Sequence, residues 1–204
     1  MSGAVLSDPQ RFQAAISRFD RENAADPNRE GEEGVPQPRE LLYAHRLTEW
    51  VLRLRPDASE SLRLAARCQH LCRWHIPRSD YPMDRPGYLK WRAELKKFHA
   101  QKAGEILRES GYDEERVEEV QALNLKKNFP HDEDSRVLED ALGLVFLEFQ
   151  FAALAAKTSE EKMVGVLRKS WNKMTELGRS KALQLPFGSG EQRLIQLAMA
   201  GDAP

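Results

Sequence analysis

Apolar residues recur at helical spacing along almost the whole chain, and no segment alternates convincingly between apolar and polar with period two. Ser7-Asp8-Pro9 opens a first helix running to about Asn23, with Phe12, Ala15, Ile16 and Phe19 on one stripe. DPNREGEEGVPQPRE, rich in proline, glycine and charge, reads as a long loop. A second helix starts near Pro38, a favoured first helical position, and ends before Arg55-Pro56-Asp57. The third covers roughly 58–74. HIPRSDYPMDRPG, with three prolines, forms another long loop, and such loops inside a compact domain often carry function. The fourth helix runs from about Tyr88 to Glu109 and stops at Gly111, and Asp113 caps a fifth that reaches Lys127. The sixth, about Asp134 to Lys157, is the most apolar. Thr158 and Glu161 have capping-box spacing for a seventh, and short helices around 176–183 and 190–199 follow. The pattern predicts an all-α single domain over 1–204: a helical bundle with its core at about 38–157 and the helices of 158–200 packed on it.

The totals fit that picture. A length of 204 residues suits one domain, and 31% charged with 41% apolar residues is ordinary for a soluble globular protein. No apolar run approaches the roughly eighteen residues of a membrane span, so no membrane partner is expected. MSGAVLSDPQRF lacks a basic region followed by an apolar stretch, so no secretory signal is expected and the cytoplasm is the expected compartment. Cys68 and Cys72 lie four apart on one predicted helix, which rarely offers disulfide geometry, and read as reduced thiols.

Candidate chemistry lies in polar side chains on apolar stripes. Leu41, His45, Thr48 and Leu52 form one line of the second helix, which turns His45 toward the core. Leu62, Ala65, Ala66, Gln69 and Cys72 share a stripe of the third, with His70 one position round. His99 falls on the line Leu95, His99, Ala103, Ile106, and Asp140 lies between Val137 and Leu144. A lone inward His is most often a hydrogen-bonded core residue, and Asp140 has the alternatives of capping a helix or pairing with an arginine. The convergence of three imidazoles and a carboxylate suits a metal such as Zn, Mn or Fe.

Charge adds a second signal. Formal net charge is -1, yet Arg63 to Lys102 carries a surplus of seven positive charges. Within it Arg78, Arg85, Lys90 and Arg92, among Trp74, Tyr81, Tyr88 and Trp91, are placed to surround an anion, since guanidinium binds phosphate bidentately. The alternative is a solvated basic face. The near-zero net charge argues against nucleic acid as a partner, and a small phosphorylated ligand is the expected one.

These residues resemble the HD superfamily of metal-dependent phosphohydrolases, an all-α fold. His45 in YAHRLTEWV is similar to the superfamily's first His. LAARCQHLCR resembles the segment holding its His-Asp pair, with Gln69 at the His, His70 at the Asp and Arg73 at the following basic position. Asp140 in LEDALGLVFLE resembles the last Asp. The run QHLCRWHIPRSDYPMDRPGYLKWRAELKKFHA is more closely similar to a family described only as a domain of unknown function, number 4202, and this likeness extends through EDALGLVFLE to KSWNKM.

The HD resemblance implies a phosphohydrolase acting on a small phosphorylated or nucleotide-like substrate. Gln69-His70 in place of His-Asp removes the carboxylate that would bridge two metals, so the implied centre is one divalent ion (Zn, Mn or Fe) held by His45, His70, His99 and Asp140. Arg73, Arg78, Lys126 and Lys127 would hold the phosphate, and Glu49, four after His45, would be the general base. His131-Asp132 spells HD literally but follows Pro130 in an acidic stretch, which reads as a loop and helix cap. A non-catalytic HD-like module binding an anionic metabolite or a protein, and an iron-dependent oxygenase of the same fold, are the competing readings.

Overall fold

The computed structural model describes residues 6–32 and 35–200, and these are predominantly helical. They group into two compact units, one reaching to Ser135 and the other starting at Arg136.

In the first unit α1 (Pro9–Ala24) is capped by Asp8, whose carboxylate accepts from the N–H groups of Gln10 and Arg11. The stretch expected to be a loop instead pairs β1 (Arg29–Glu32) with β2 (Val35–Pro38), antiparallel, Arg29 opposite Pro38 and Gly31 opposite Pro36. This ribbon has no apolar face, and Val35 is 66% exposed, so it left no period-two trace in the sequence. α2 (Arg39–Leu54) follows directly. Pro38 offers no side-chain acceptor at its start, and buried Asp26 supplies one, taking the Glu40 N–H at 3.0 Å.

α3 (Glu60–Cys68) is the hub of this unit. It packs against α1, α2 and also α5 (Glu114–Leu125), and Leu62, Leu64, Ala65, Ala66 and Cys68 are fully buried. α4 (Arg85–Glu109) starts three residues before the expected Tyr88, because Asp84 caps it through the Gly87 N–H. A side chain at Gly87 would collide with the Pro82 carbonyl. Gly111, at φ 85, turns the chain between α4 and α5 in a conformation that favours glycine.

α6 (Glu133–Val145) starts behind Asp132, whose carboxylate takes the Ser135 N–H, as the helix-cap reading of His131-Asp132 requires. In the second unit the expected continuous helix to Lys157 is interrupted. The turn widens at Phe146–Gln150, where the Phe151 N–H reaches back to the Phe146 carbonyl, and α7 (Phe151–Ala155) is short. Leu147 and Phe151 stay buried across it. α8 (Glu160–Trp171) follows Ser159 with no side-chain cap, so Thr158 does not form the expected box. α9 (Glu176–Ala182) and α10 (Ser189–Met199) complete the unit, α10 packing on α8 with Arg193 paired to Glu160 at 3.0 Å. No helix among the described residues is long and apolar enough to cross a membrane.

Candidate functional site

The helix expected over 58–74 ends at Cys68. The chain turns through Gln69–Cys72, and Cys72 takes the left-handed conformation at φ 53, which costs a non-glycine residue about 1 kcal/mol or more. Tertiary partners hold it there. The Cys72 N–H donates to Asn23 Oδ1 of α1 at 3.0 Å, and the Leu71 carbonyl accepts from His99 Nδ1 of α4 at 2.8 Å. The break swings His70 off the helix surface and against α2, where it stacks on Tyr43 with ring centroids 4.1 Å apart and planes 13° apart.

A polar cluster forms around this turn. Glu40 Oε2 lies 3.4 Å from His70 Nδ1, and Arg73 Nη1 lies 3.4 Å from His70 Nε2. Arg73 is always a donor, so His70 Nε2 accepts and the ring proton sits on Nδ1, facing Glu40. Arg73 Nε is 3.8 Å and Arg39 Nε 3.4 Å from Glu40 Oε1, and the Arg73 guanidinium lies over the Trp91 ring at 4.9 Å. The His99 ring centroid is 5.8 Å from that of His70. Glu40 and His99 are each nearly fully buried, with His70 and Arg73 mostly so.

Burial and neighbouring charge set the protonation states. Burial holds the Glu40 carboxyl above its usual range, against the pull of Arg73 and Arg39. Burial also drives His70 well below the usual histidine range, helped by the cations Arg73, Arg92, Lys126 and Arg39. His99 is pushed down to about 3, chiefly by burial. Both imidazoles are therefore neutral at neutral pH. Since His99 Nδ1–H is spent on Leu71, its Nε2 is a bare acceptor, and that buried atom has no hydrogen-bond partner.

Of the residues expected from sequence, the structure brings His70, His99 and Arg73 together, with Arg92 and Lys126 acting electrostatically on the same ring. The others lie in other settings. The inward line of α2 is Tyr43, Ala44, Leu47, Trp50 and Val51, not Leu41–His45–Thr48–Leu52, so His45 is half-exposed and faces Asp20 at 3.7 Å. Glu49 is exposed and pairs with Arg53 along the helix. Arg78 donates to the carbonyls of Tyr81, Pro82 and Asp84 and so fixes its own loop. Arg85 and Lys127 are exposed, and Lys90 is exposed at 4.0 Å from Glu94. Asp140, buried in the second unit, accepts from the Thr175 backbone N–H at 2.8 Å and from its hydroxyl, and so anchors the residue that caps α9.

The sequence reading missed Glu40, Tyr43 and Arg39. Their signal was present in RELLYAHRLTEWV, where positions 40, 43, 44, 47, 50 and 51 form a wider helical stripe than the line through His45. A stripe that puts a glutamate inside is unfavourable on sequence grounds alone. Gln69, at the position of the expected metal-binding His, is buried with its Oε1 unpartnered. Among the described residues no group of three or more His, Cys, Asp or Glu side chains is placed to hold a metal ion.

No curated protein and no solved structure gives a significant match to this chain. One family profile does, over residues 13–195, which takes in α2 to α5 and most of α1. The chain belongs to the family described as Domain of unknown function (DUF4202).

Proposed function

We propose that this protein captures a small phosphorylated or nucleotide-like ligand, with Arg73 as its central anion contact. The observation that supports this reading is the crowding of cations at a mostly buried guanidinium. Arg73 loses hydration by burial and is repelled by Arg92 and Arg39, while Glu40 is the carboxylate beside it. An anion would relieve that repulsion, and each charge-assisted hydrogen bond from a guanidinium is worth about 1.5–3 kcal/mol. The Trp91 face orients the guanidinium without consuming its donors.

The same electrostatics disfavour a divalent cation. His70 Nε2 already faces Arg73, so an ion bound there would meet a guanidinium, with Arg92, Arg39 and Lys126 adding to the repulsion. His45 and Asp140 are engaged by Asp20 and Thr175. The residues present do not fit the single-ion centre that the HD resemblance implies, and capture of the ligand is better supported than metal-assisted hydrolysis.

Calorimetric titration of the full chain with inorganic phosphate tests the proposal. Saturable binding is expected, weakened tenfold or more in Arg73→Gln, which removes the charge and keeps a polar side chain. Absence of binding, or equal affinity in that variant, would overturn it.

A further inference from the structure

One buried group in the cluster asks for something other than an anion. His99 is 4% exposed, its Nδ1–H is fixed on the Leu71 carbonyl, and its Nε2 has no partner. A buried acceptor left unpaired loses its hydration with nothing in return, so a donor that reached it would recover that loss. A phosphate monoester at neutral pH is mainly the dianion, whose oxygens only accept, and cannot serve. The protein donors nearby do not serve either: Arg73 points Nη1 at His70 Nε2, and the Trp91 N–H is given to the Ile76 carbonyl at 2.9 Å. Gln69, next to His70 in the chain, is 7% exposed and brings a second buried acceptor, its Oε1, without a donor.

Building on the anion reading above, we infer that the ligand is a hydroxyl-bearing phosphate ester, its phosphate on Arg73 and a hydroxyl donating to His99 Nε2. Arg73 Nη1 lies 3.4 Å from His70 Nε2, and the His99 ring centroid is 5.8 Å from that of His70, so the guanidinium and the open acceptor's ring neighbour the same imidazole. The cationic side selects the phosphate and the neutral imidazole selects the hydroxyl. A site built to pair a substrate hydroxyl discriminates strongly against an analogue lacking it, because the buried acceptor is then stranded.

The experiment is a titration series on the full chain with inorganic phosphate, methyl phosphate, glycerol 3-phosphate and ribose 5-phosphate. Glycerol 3-phosphate, ribose 5-phosphate or both are expected to bind at least tenfold more tightly than methyl phosphate. In His99→Asn, whose amide nitrogen can keep the bond to Leu71 while the distal acceptor is lost, the preference for the hydroxylated esters over methyl phosphate disappears. The ¹⁵N resonance of His99 Nε2 in the wild type is expected to move with the hydroxylated esters and not with methyl phosphate, a readout that a purely structural histidine would not give. Equal affinity of the wild type for all four compounds overturns this inference and leaves the anion site standing. Failure of all four to bind overturns both.

Discussion

Arg73 Nη1 lies 3.4 Å from His70 Nε2, so the residue expected to stand in for a metal-binding aspartate meets a guanidinium in the folded protein. That relationship fixes the tautomer of His70, turns its Nδ1 toward Glu40, and gives the turn after α3 a positive character.

Metal dependence follows the same geometry. Protein produced with ample Zn, Mn and Fe is expected to melt at the same temperature with and without a strong chelator, because a resident ion would add stability by mass action and its removal would take that away. A chelator-dependent drop in melting temperature, together with stoichiometric metal by elemental analysis, would restore the metal reading.

Arg78 separates loop structure from ligand capture. Its three backbone carbonyl partners hold residues 81–84, so Arg78→Ala is expected to lower stability by about 1 kcal/mol, with little change in phosphate affinity. Thermal melting and phosphate titration of that variant, beside Arg73→Gln, check the assignment. A large loss of affinity in Arg78→Ala would move the anion contact into the loop.

Asp140 and Gly178 form a second testable pair. A Cβ on Gly178 would sit 2.5 Å from the Asp140 Cγ, so the carboxylate and the start of α9 approach only because that position is glycine. Gly178→Ala and Asp140→Ala are each expected to destabilise by about 2 kcal/mol or more, the first by forcing the contact apart and the second by stranding the part-buried Thr175 groups and leaving a cavity at a buried position. Urea unfolding measures both. Loss on adding chelator to the wild type, matching that in Asp140→Ala, would instead mark Asp140 as a ligand to metal.

His99 gives the stability curve a sign. Its folded value of about 3 lies below the usual 6.5, so the unfolded chain binds the proton more strongly, and stability is full above about 6.5 and lost as pH falls toward 3. Each unit of difference is worth about 1.4 kcal/mol, which sets a ceiling of several kcal/mol for this residue. Glu40, raised by burial, acts in the opposite sense, favouring the folded state as pH falls through its folded value. The difference in unfolding free energy between wild type and His99→Asn should therefore shift against the wild type as pH is lowered from 7 to 4. A difference independent of pH would show that His99 is not held neutral by the fold.

The sequence by itself determined the helices and much of what they bury. Helical periodicity placed α1, α4, α5, α9 and α10 closely, and the stripes Leu62–Ala65–Ala66–Gln69–Cys72 and Leu95–His99–Ala103–Ile106 are buried as expected. Local capping chemistry was legible for the same reason: Asp8, Asp113 and Asp132 act on amides two or three residues away.

What only the tertiary structure decided are the features held by distant partners. Asn23 and His99 stabilise the turn that ends α3 at Cys68, and without them residues 69–74 carry an ordinary helical pattern. The inward face of α2 differs from the line through His45, because the glutamate on it becomes favourable only when Arg39, Arg73 and His70 close around it. Asp140 was legible as a buried carboxylate, but its partner Thr175 lies 35 residues along the chain, beyond anything periodicity can relate. Residue spacing reports which side of a helix is buried. Which polar groups meet there depends on the packing of helices far apart in sequence.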